Sequence, residues 1–471
     1  MSRPFPDNPF LRGNFAPFLM EGAAPDLIVE GEIPRELRGS YYRNGSNPQF
    51  APAPTYHWFE GDGMIHGFFF EDGRCGYRNR WVRTARFELE RKERRGLFGG
   101  FGPGGADAKT EGTSGNTANT NILWHAGKLL ALWEAGPPTE LDPVTLETIG
   151  IWDDGGAFRR ERFGQLVPDI MTAHPKIDPD NDEWLAFGYS PMEPWMVYHV
   201  IGGDGHLKRS DVVDAPFPNM MHDFVTTSEH VLFPHHPAVF DFERMAETGS
   251  MLSWQPERGS HIGVMPRAGG NDDIVWIEKE AGYVFHYVNA WTEDSTVVAD
   301  VFHIDQLALR LSDDAPPTGP PTLHRWTIDL ESGSLKDEAL DDAPAEFGRV
   351  DPRVVGKRYA DAWTLGSHGI PRATGEPLNN NCIFHYDMRS GARRMFELPE
   401  GDATGEPQFV PRSDDAPEGD GFVLAIVYRG AESRSDLIVL DAQNVEAGPL
   451  ATIQCPHRIP WGFHGNWKPA D

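Results

Sequence analysis

Apolar positions along the chain fall in short runs rich in aromatic and β-branched residues. HGFFFEDG, NILWHAGKLLALWEAG, DEWLAFGY, MVYHVIGG, DIVWIEK, FHYVNAW, STVVADVFHI, HRWTIDL, GFVLAIVYRG and SDLIVLDA are examples. Most are closed off by Gly, Pro, Asp or Asn, the residues that end strands and start turns. The pattern predicts many short strands. The best helix candidates are RFELERKERRG, residues 86–96, and FDFERMAETG, residues 240–249, and neither recurs regularly. Strands and helices do not alternate, which argues against a doubly wound parallel sheet.

A weak repeat sits on this pattern. An apolar residue followed by Asp opens a turn in LDPVTLET, IDPDNDEW, IDLESGSL, YDMRSGAR and LDAQNVEA, at Asp142, Asp178, Asp329, Asp387 and Asp441. Each lies between two strand-like runs, as a hairpin within a propeller blade does. Glycine (50) and proline (40) are spread along the whole chain, which suits many short elements joined by turns. The pattern supports a closed all-β architecture, of which a β-propeller is one form, and a single domain spanning 1–471 is expected.

Charge narrows the partners. Forty-two basic residues stand against 71 acidic ones, a formal charge of −29. Such a surface repels phosphate backbones and gives no support to nucleic-acid binding. It also offers no polybasic attraction to anionic lipid. The three cysteines, Cys75, Cys382 and Cys455, are far apart and form no CxxC, which fits a reducing compartment. No secretory leader or spanning segment is visible, so a cytoplasmic location is expected.

Most catalytic motifs are missing. There is no GxSxG, HExxH, Walker A or zinc-knuckle pattern. A GxGxxG match at Gly100, Gly102 and Gly105 follows a charged helical stretch rather than a strand, and Pro103 interrupts it. It reads as a loop, not a dinucleotide site.

The histidines say more. His206 sits in a polar turn, and the His235–His236 pair follows a proline; these are ordinary. Four others lie among apolar or aromatic neighbours: His174 in TAHPKIDP, His222 in NMMHDFV, His286 in YVFHYVNAW and His464 in PWGFHGNW. A charged imidazolium there is costly to desolvate. Each is either a core histidine with satisfied nitrogens or a neutral ligand to a metal. They are separated by 48, 64 and 178 residues, unlike a local metal motif. A propeller, however, brings each blade's inner strand to one axis, where such residues converge. His464 lies in a C-terminal stretch crowded by Trp461, Phe463 and Trp467, where fraying is the usual expectation. A metal ligand there requires the tail to be locked into the core.

The ordered set GEIPRELRGSYYRNGSNP, HWFEGDGMIHGFFF, NTNILWHAGKLLALWEAGPPTELDP, TAHPKIDP, MHDFV, FHYVNAW, EFGRVDPR, GEPQFVPR, SDLIVLDA and HGNW resembles the carotenoid cleavage oxygenases nearly end to end. That family includes apocarotenoid, retinoid-forming and lignostilbene-cleaving enzymes. The resemblance implies a seven-bladed β-propeller with a loop and helix dome over an axial iron. Position by position, it implies that His174, His222, His286 and His464 ligate iron(II), backed by Glu134, Glu346 and Glu406. Four neutral imidazoles suit a ferrous ion and leave coordination positions open. Carboxylates behind them accept the other ring N–H and fix the tautomer. The implied reaction is cleavage of a C=C bond by dioxygen to two carbonyl products, with no organic cofactor and no catalytic residue beyond the metal centre.

The substrate expectation comes from departures within the resemblance. Relatives that cleave 4-hydroxystilbenes carry a tyrosine where this chain has Phe101 and a lysine where it has Trp133. Neither Phe101 nor Trp133 brings a positive charge to a phenolate, although Trp133 has an indole N–H. Together with Phe59 they suggest an apolar tunnel, recognising substrate by area and shape. An apocarotenoid-like alkene is therefore favoured, with at most transient membrane contact. The alternative is a stilbenoid or phenylpropanoid alkene of the lignostilbene, isoeugenol or vinylguaiacol type. Two remoter readings are a zinc hydrolase, for which no general base is evident, and a non-catalytic propeller.

Overall fold

The apolar runs form antiparallel strands, and the turn residues do what their chemistry dictates. HGFFFE becomes strand Gly63–Glu71, paired with Arg74–Trp81. The connecting Asp72 and Gly73 both have positive φ (49° and 76°), the two-residue hairpin turn whose twist matches the strands. The structure, a computed structural model, describes residues 4–100, 105–158, 160–162, 165–167, 170–244, 251–307, 319–369 and 380–470.

The five apolar-Asp turns are all hairpin turns between paired antiparallel strands. In each, the aspartate Oδ1 accepts a backbone N–H from two residues further on: Val144, Asp180, Glu331, Arg389 and Gln443. This Asx turn explains the repeat without any ligand. The helix expected over 86–96 is Ala85–Glu93, capped by Thr84 and ended by Arg94 in the left-handed region (φ 56°). Of the second candidate, residues 242–244 are helical and 245–249 lie outside the described residues. The GxGxxG stretch lies partly outside them too, because Gly102 and Pro103 are not described. Among the described residues, no helix is long and apolar enough to cross a membrane.

Successive strands pair with their neighbours. Asn121–His125 begins a four-stranded sheet, Lys176–Ile177 a second and Val225–Thr226 a third. Tyr283–Glu293 begins a run of seven strands ending at Ala392–Glu397. The fold is all-β, and the core lies between sheets. Leu185, Phe187 and Tyr198 of one sheet, for example, pack on Val231, Phe233 and Met265 of the next.

The two ends of the chain meet twice. Gly39–Ser46 pairs on one side with Gly63–Glu71 and on the other with the C-terminal strand Gly465–Pro469. Val29–Gly31 pairs with Pro449–Gln454. Trp461 and Phe463 are buried against Trp58, with Phe15 and Phe59 packed alongside. The aromatic tail is core because it closes the sheet begun by the N-terminal strands.

Candidate metal centre

Each of the four histidines sits at or near the start of a strand that begins a sheet or closes one. His174 comes two residues before Lys176–Ile177, His222 three before Val225–Thr226, and His464 one before Gly465–Pro469. His286 lies inside Tyr283–Glu293, where pairing with Thr296–Ile304 shifts between Val284 and Tyr287. That bulge frees Phe285 and His286 from the ladder, a common way to re-aim a side chain at a site.

The ligand nitrogens of all four lie within 4.8 Å of one another, and all four residues are buried. Ring centroids are 4.4–5.1 Å apart for the pairs 174–222, 174–286, 174–464, 222–286 and 286–464. Four imidazole nitrogens gathered this closely would suit a first-row metal ion.

Three rings are tied from behind. The Nδ1–H of His222 donates to Glu134 Oε2 (2.6 Å), that of His286 to Glu346 Oε2 (2.5 Å) and that of His464 to Glu406 Oε1 (2.8 Å). A carboxylate can only accept, so Nδ1 carries the hydrogen and Nε2 keeps its lone pair. His286 Nε2 is buried with no protein partner. His174 Nε2 and His222 Nε2 face each other at 3.0 Å, a contact that needs a proton or a cation between two lone pairs. An orphaned buried nitrogen and converging nitrogen atoms fit a shared metal ion.

Electrostatics differ around the ring. Burial, reinforced by the other three imidazoles, holds His174 well below the usual histidine range. Burial pushes His464 down to about 3 against the pull of Glu406. For His222 burial acts downward, but the Glu134 charge and hydrogen bond outweigh it and the net shift is upward.

The carboxylates are held differently. Glu406 is buried; it accepts from Arg43 Nη1 (3.0 Å), Arg349 Nε (3.0 Å) and the Gly465 backbone N–H (2.8 Å) besides His464. Burial opposes its charge, yet Arg349, His464 and Arg43 together hold it well below the usual carboxylate range. Glu346 Oε2 also accepts the Phe347 N–H (2.6 Å), while its Oε1 is buried without a partner. Glu134 Oε1 accepts the hydroxyl of Tyr189 (2.5 Å).

Aromatic rings enclose the cluster. Phe347 packs on His286 (4.7 Å) and His464 (5.1 Å), and Phe285 on His222 (5.6 Å). Of the expected lining residues, Phe59 packs on Phe463, the neighbour of His464. Trp133, the neighbour of Glu134, is partly buried, with its ring over Gly136. Phe101 lies outside the described residues. Sequence reasoning missed Arg43, Arg349, Tyr189, Phe285 and Phe347. All five were within reach, in YRNG, EFGRV, AFGY and VFHY, but nothing in one-dimensional pattern says which of those side chains turns inward.

A family model described as Retinal pigment epithelial membrane protein matches residues 15–469. The chain is 38% identical over 479 residues to isoeugenol monooxygenase of Pseudomonas putida, covering 98% of each. The crystal structure of Pseudomonas brassicacearum lignostilbene dioxygenase superposes with a TM-score of 0.92 at 34% identity, covering 100% of both chains. Cobalt-substituted apocarotenoid oxygenase of Synechocystis superposes with a TM-score of 0.85 at 28% identity, covering 96% of this chain and 97% of that one.

Proposed function

The chain belongs to the family of the retinal pigment epithelial membrane protein and the carotenoid cleavage oxygenases, which are non-haem iron enzymes, and we propose that it holds iron(II) between His174, His222, His286 and His464 and cleaves a phenylpropanoid or stilbenoid C=C bond with dioxygen. The observation that carries this reading is the buried four-histidine cluster, three of whose members are tied to carboxylates. The succession of paired antiparallel sheets, closed by the N- and C-terminal strands, supports a seven-bladed propeller around that cluster.

Bound there, iron(II) supplies activation of dioxygen for addition across an electron-rich alkene, whose scission gives two carbonyl compounds. The chain's own residues do the rest. Glu134, Glu346 and Glu406 accept the Nδ1–H of His222, His286 and His464, so that each Nε2 keeps its lone pair for a metal. Phe285 and Phe347 shield the cluster and offer apolar surface for an alkene. Orientation of the double bond and exclusion of water are the protein's contribution to rate.

The phenylpropanoid or stilbenoid class is supported by full-length similarity to an isoeugenol monooxygenase and to a lignostilbene dioxygenase. The second reading, an apocarotenoid, rests on Trp133, which offers an indole N–H but no positive charge to a phenolate. The test is iron(II)-loaded protein in air with isoeugenol, a 4-hydroxystilbene or a β-apocarotenal, the carbonyl products identified by mass. Aromatic aldehyde from either phenolic alkene is the expected result. Cleavage of the apocarotenal alone transfers the assignment to the second reading, and no cleavage by loaded protein overturns both.

A further inference from the structure

We infer that the hydroxyl of Tyr189 is a positioning group for the metal centre, fixing the Glu134 carboxylate and, through it, the ring of His222. The geometry is a three-member chain. Tyr189 O–H donates to Glu134 Oε1 (2.5 Å), and His222 Nδ1–H donates to Glu134 Oε2 (2.6 Å). Each carboxylate oxygen thus has its own donor, and the carboxylate plane cannot turn without breaking one of them.

The ring of Tyr189 does not need this bond to stay in place. It ends strand Trp184–Tyr189, stacks against Phe240 (6.0 Å, 21°) and Phe187 (6.3 Å, 26°), and packs beside Met220, Ala238 and Tyr283. Phenylalanine would satisfy all of those contacts. The hydroxyl gives its single hydrogen to the one oxygen that His222 leaves free. Burial and the adjacent Glu134 charge push the phenol well above its ordinary pKa, so it stays a donor throughout the working range.

The other two carboxylates are held by other means: Glu406 by Arg43, Arg349 and a backbone N–H, Glu346 by the N–H of Phe347. Glu134 comes from the turn that follows Lys128–Leu132, and among the described residues no arginine or lysine pairs with it. Tyr189 takes the place of those cations. A neutral donor fixes the carboxylate while withdrawing less of its charge than a guanidinium does. His222 therefore keeps a strong acceptor behind it and a fixed orientation.

The inference rests on the metal-centre reading and is tested by a signal other than turnover. Metal-free wild type, Y189F, E134A and the double variant are titrated with cobalt(II). Visible ligand-field bands report geometry, and competition with a chelator gives affinity. Expected are stoichiometric cobalt uptake by wild type, an affinity loss of about tenfold with shifted bands in Y189F, and no further change when Y189F is added to E134A. Unchanged affinity and bands in Y189F overturn the inference and leave the metal centre standing. The same loss in the E134A background also overturns it, because Tyr189 would then act by another route. No cobalt uptake by wild type removes the metal centre and this inference with it.

Discussion

At the scale of single residues, the carboxylates behind the histidines are unequal, and their replacement has unequal consequences. Glu406 neutralises two arginines, and Arg43 is as buried as Glu406 itself, with side chains 4% and 3% exposed. Glu406→Gln leaves that guanidinium buried without a counter-charge, which costs about 3–5 kcal/mol. It also weakens iron affinity or turnover by about 10- to 100-fold. Glu346→Gln shares the second effect and lacks the first, since no cation pairs with Glu346 among the described residues. Thermal unfolding of the two metal-free variants checks this: the Glu406 variant melts well below the Glu346 variant, and equal melting contradicts the arginine argument. His464→Ala empties the metal site, and full iron occupancy by elemental analysis would sink the ligand assignment.

Single strands decide where those residues point. Two bulges do most of the aiming. One lies at His286; the other lies between Glu346 and Arg349, where strand Ser334–Val350 slips against Asp361–Gly366. Phe347 sits inside the second with φ of 55°, a backbone region that a bulky side chain seldom adopts. That kink turns its N–H back onto Glu346 and its ring onto His286 and His464. The closing strand is held as closely. A Cβ on Gly465 would lie 2.6 Å from the Tyr42 carbonyl oxygen and 2.8 Å from the Tyr41 ring. Gly465→Ala must push Gly465–Pro469 away from Gly39–Ser46, at a cost of about 1–3 kcal/mol. Because Gly465 follows His464 and its N–H donates to Glu406, metal affinity falls along with the melting temperature. A variant that melts lower yet binds metal normally would separate closure from the site.

For the molecule as a whole, buried imidazoles set the acid limit. Burial pushes His57 to about 4, His235 to about 3 and His303 to about 4 in the folded chain. The unfolded chain protonates them near 6.5. Below that pH the unfolded state binds protons that the folded state refuses, so their stabilisation is complete above 6.5 and is lost as pH falls toward 4. Asp62 acts oppositely, since burial raises it to about 6 and its stabilisation grows as pH falls. His66, His174, His236 and His464 are held down by burial as well, and together these histidines outnumber the groups shifted up, Asp62, His206 and His222, which gives a net loss. The melting temperature of the metal-free protein is expected to drop between pH 7 and pH 5, and a flat profile over that range contradicts the assignment. Metal stabilises the folded state by mass action, so chelation lowers the melting temperature of loaded protein at fixed pH.

Sequence alone determined the strand-rich class and the Asp-led hairpins, because both depend on local chemistry; the four histidines stood out by their apolar surroundings, and the glutamates behind them followed only from the family resemblance. Short apolar runs between turn residues can only pair, and Asp142 or Asp387 reaches its own turn N–H groups wherever the hairpin stands. The packing of the C-terminal tail is legible too, since Trp461 and Phe463 have to be buried against something. Tertiary structure alone decided what lies behind and around the cluster. Arg43 and Glu406 are 363 residues apart and meet only when Gly39–Ser46 pairs with Gly465–Pro469. Tyr189 and Glu134, 55 residues apart, meet only where neighbouring sheets pack. Phe347 turns inward because of a bulge that no hydrophobic period announces. Contacts of this kind depend on register and sheet packing, which many distant residues fix together, and no local pattern in the chain encodes them.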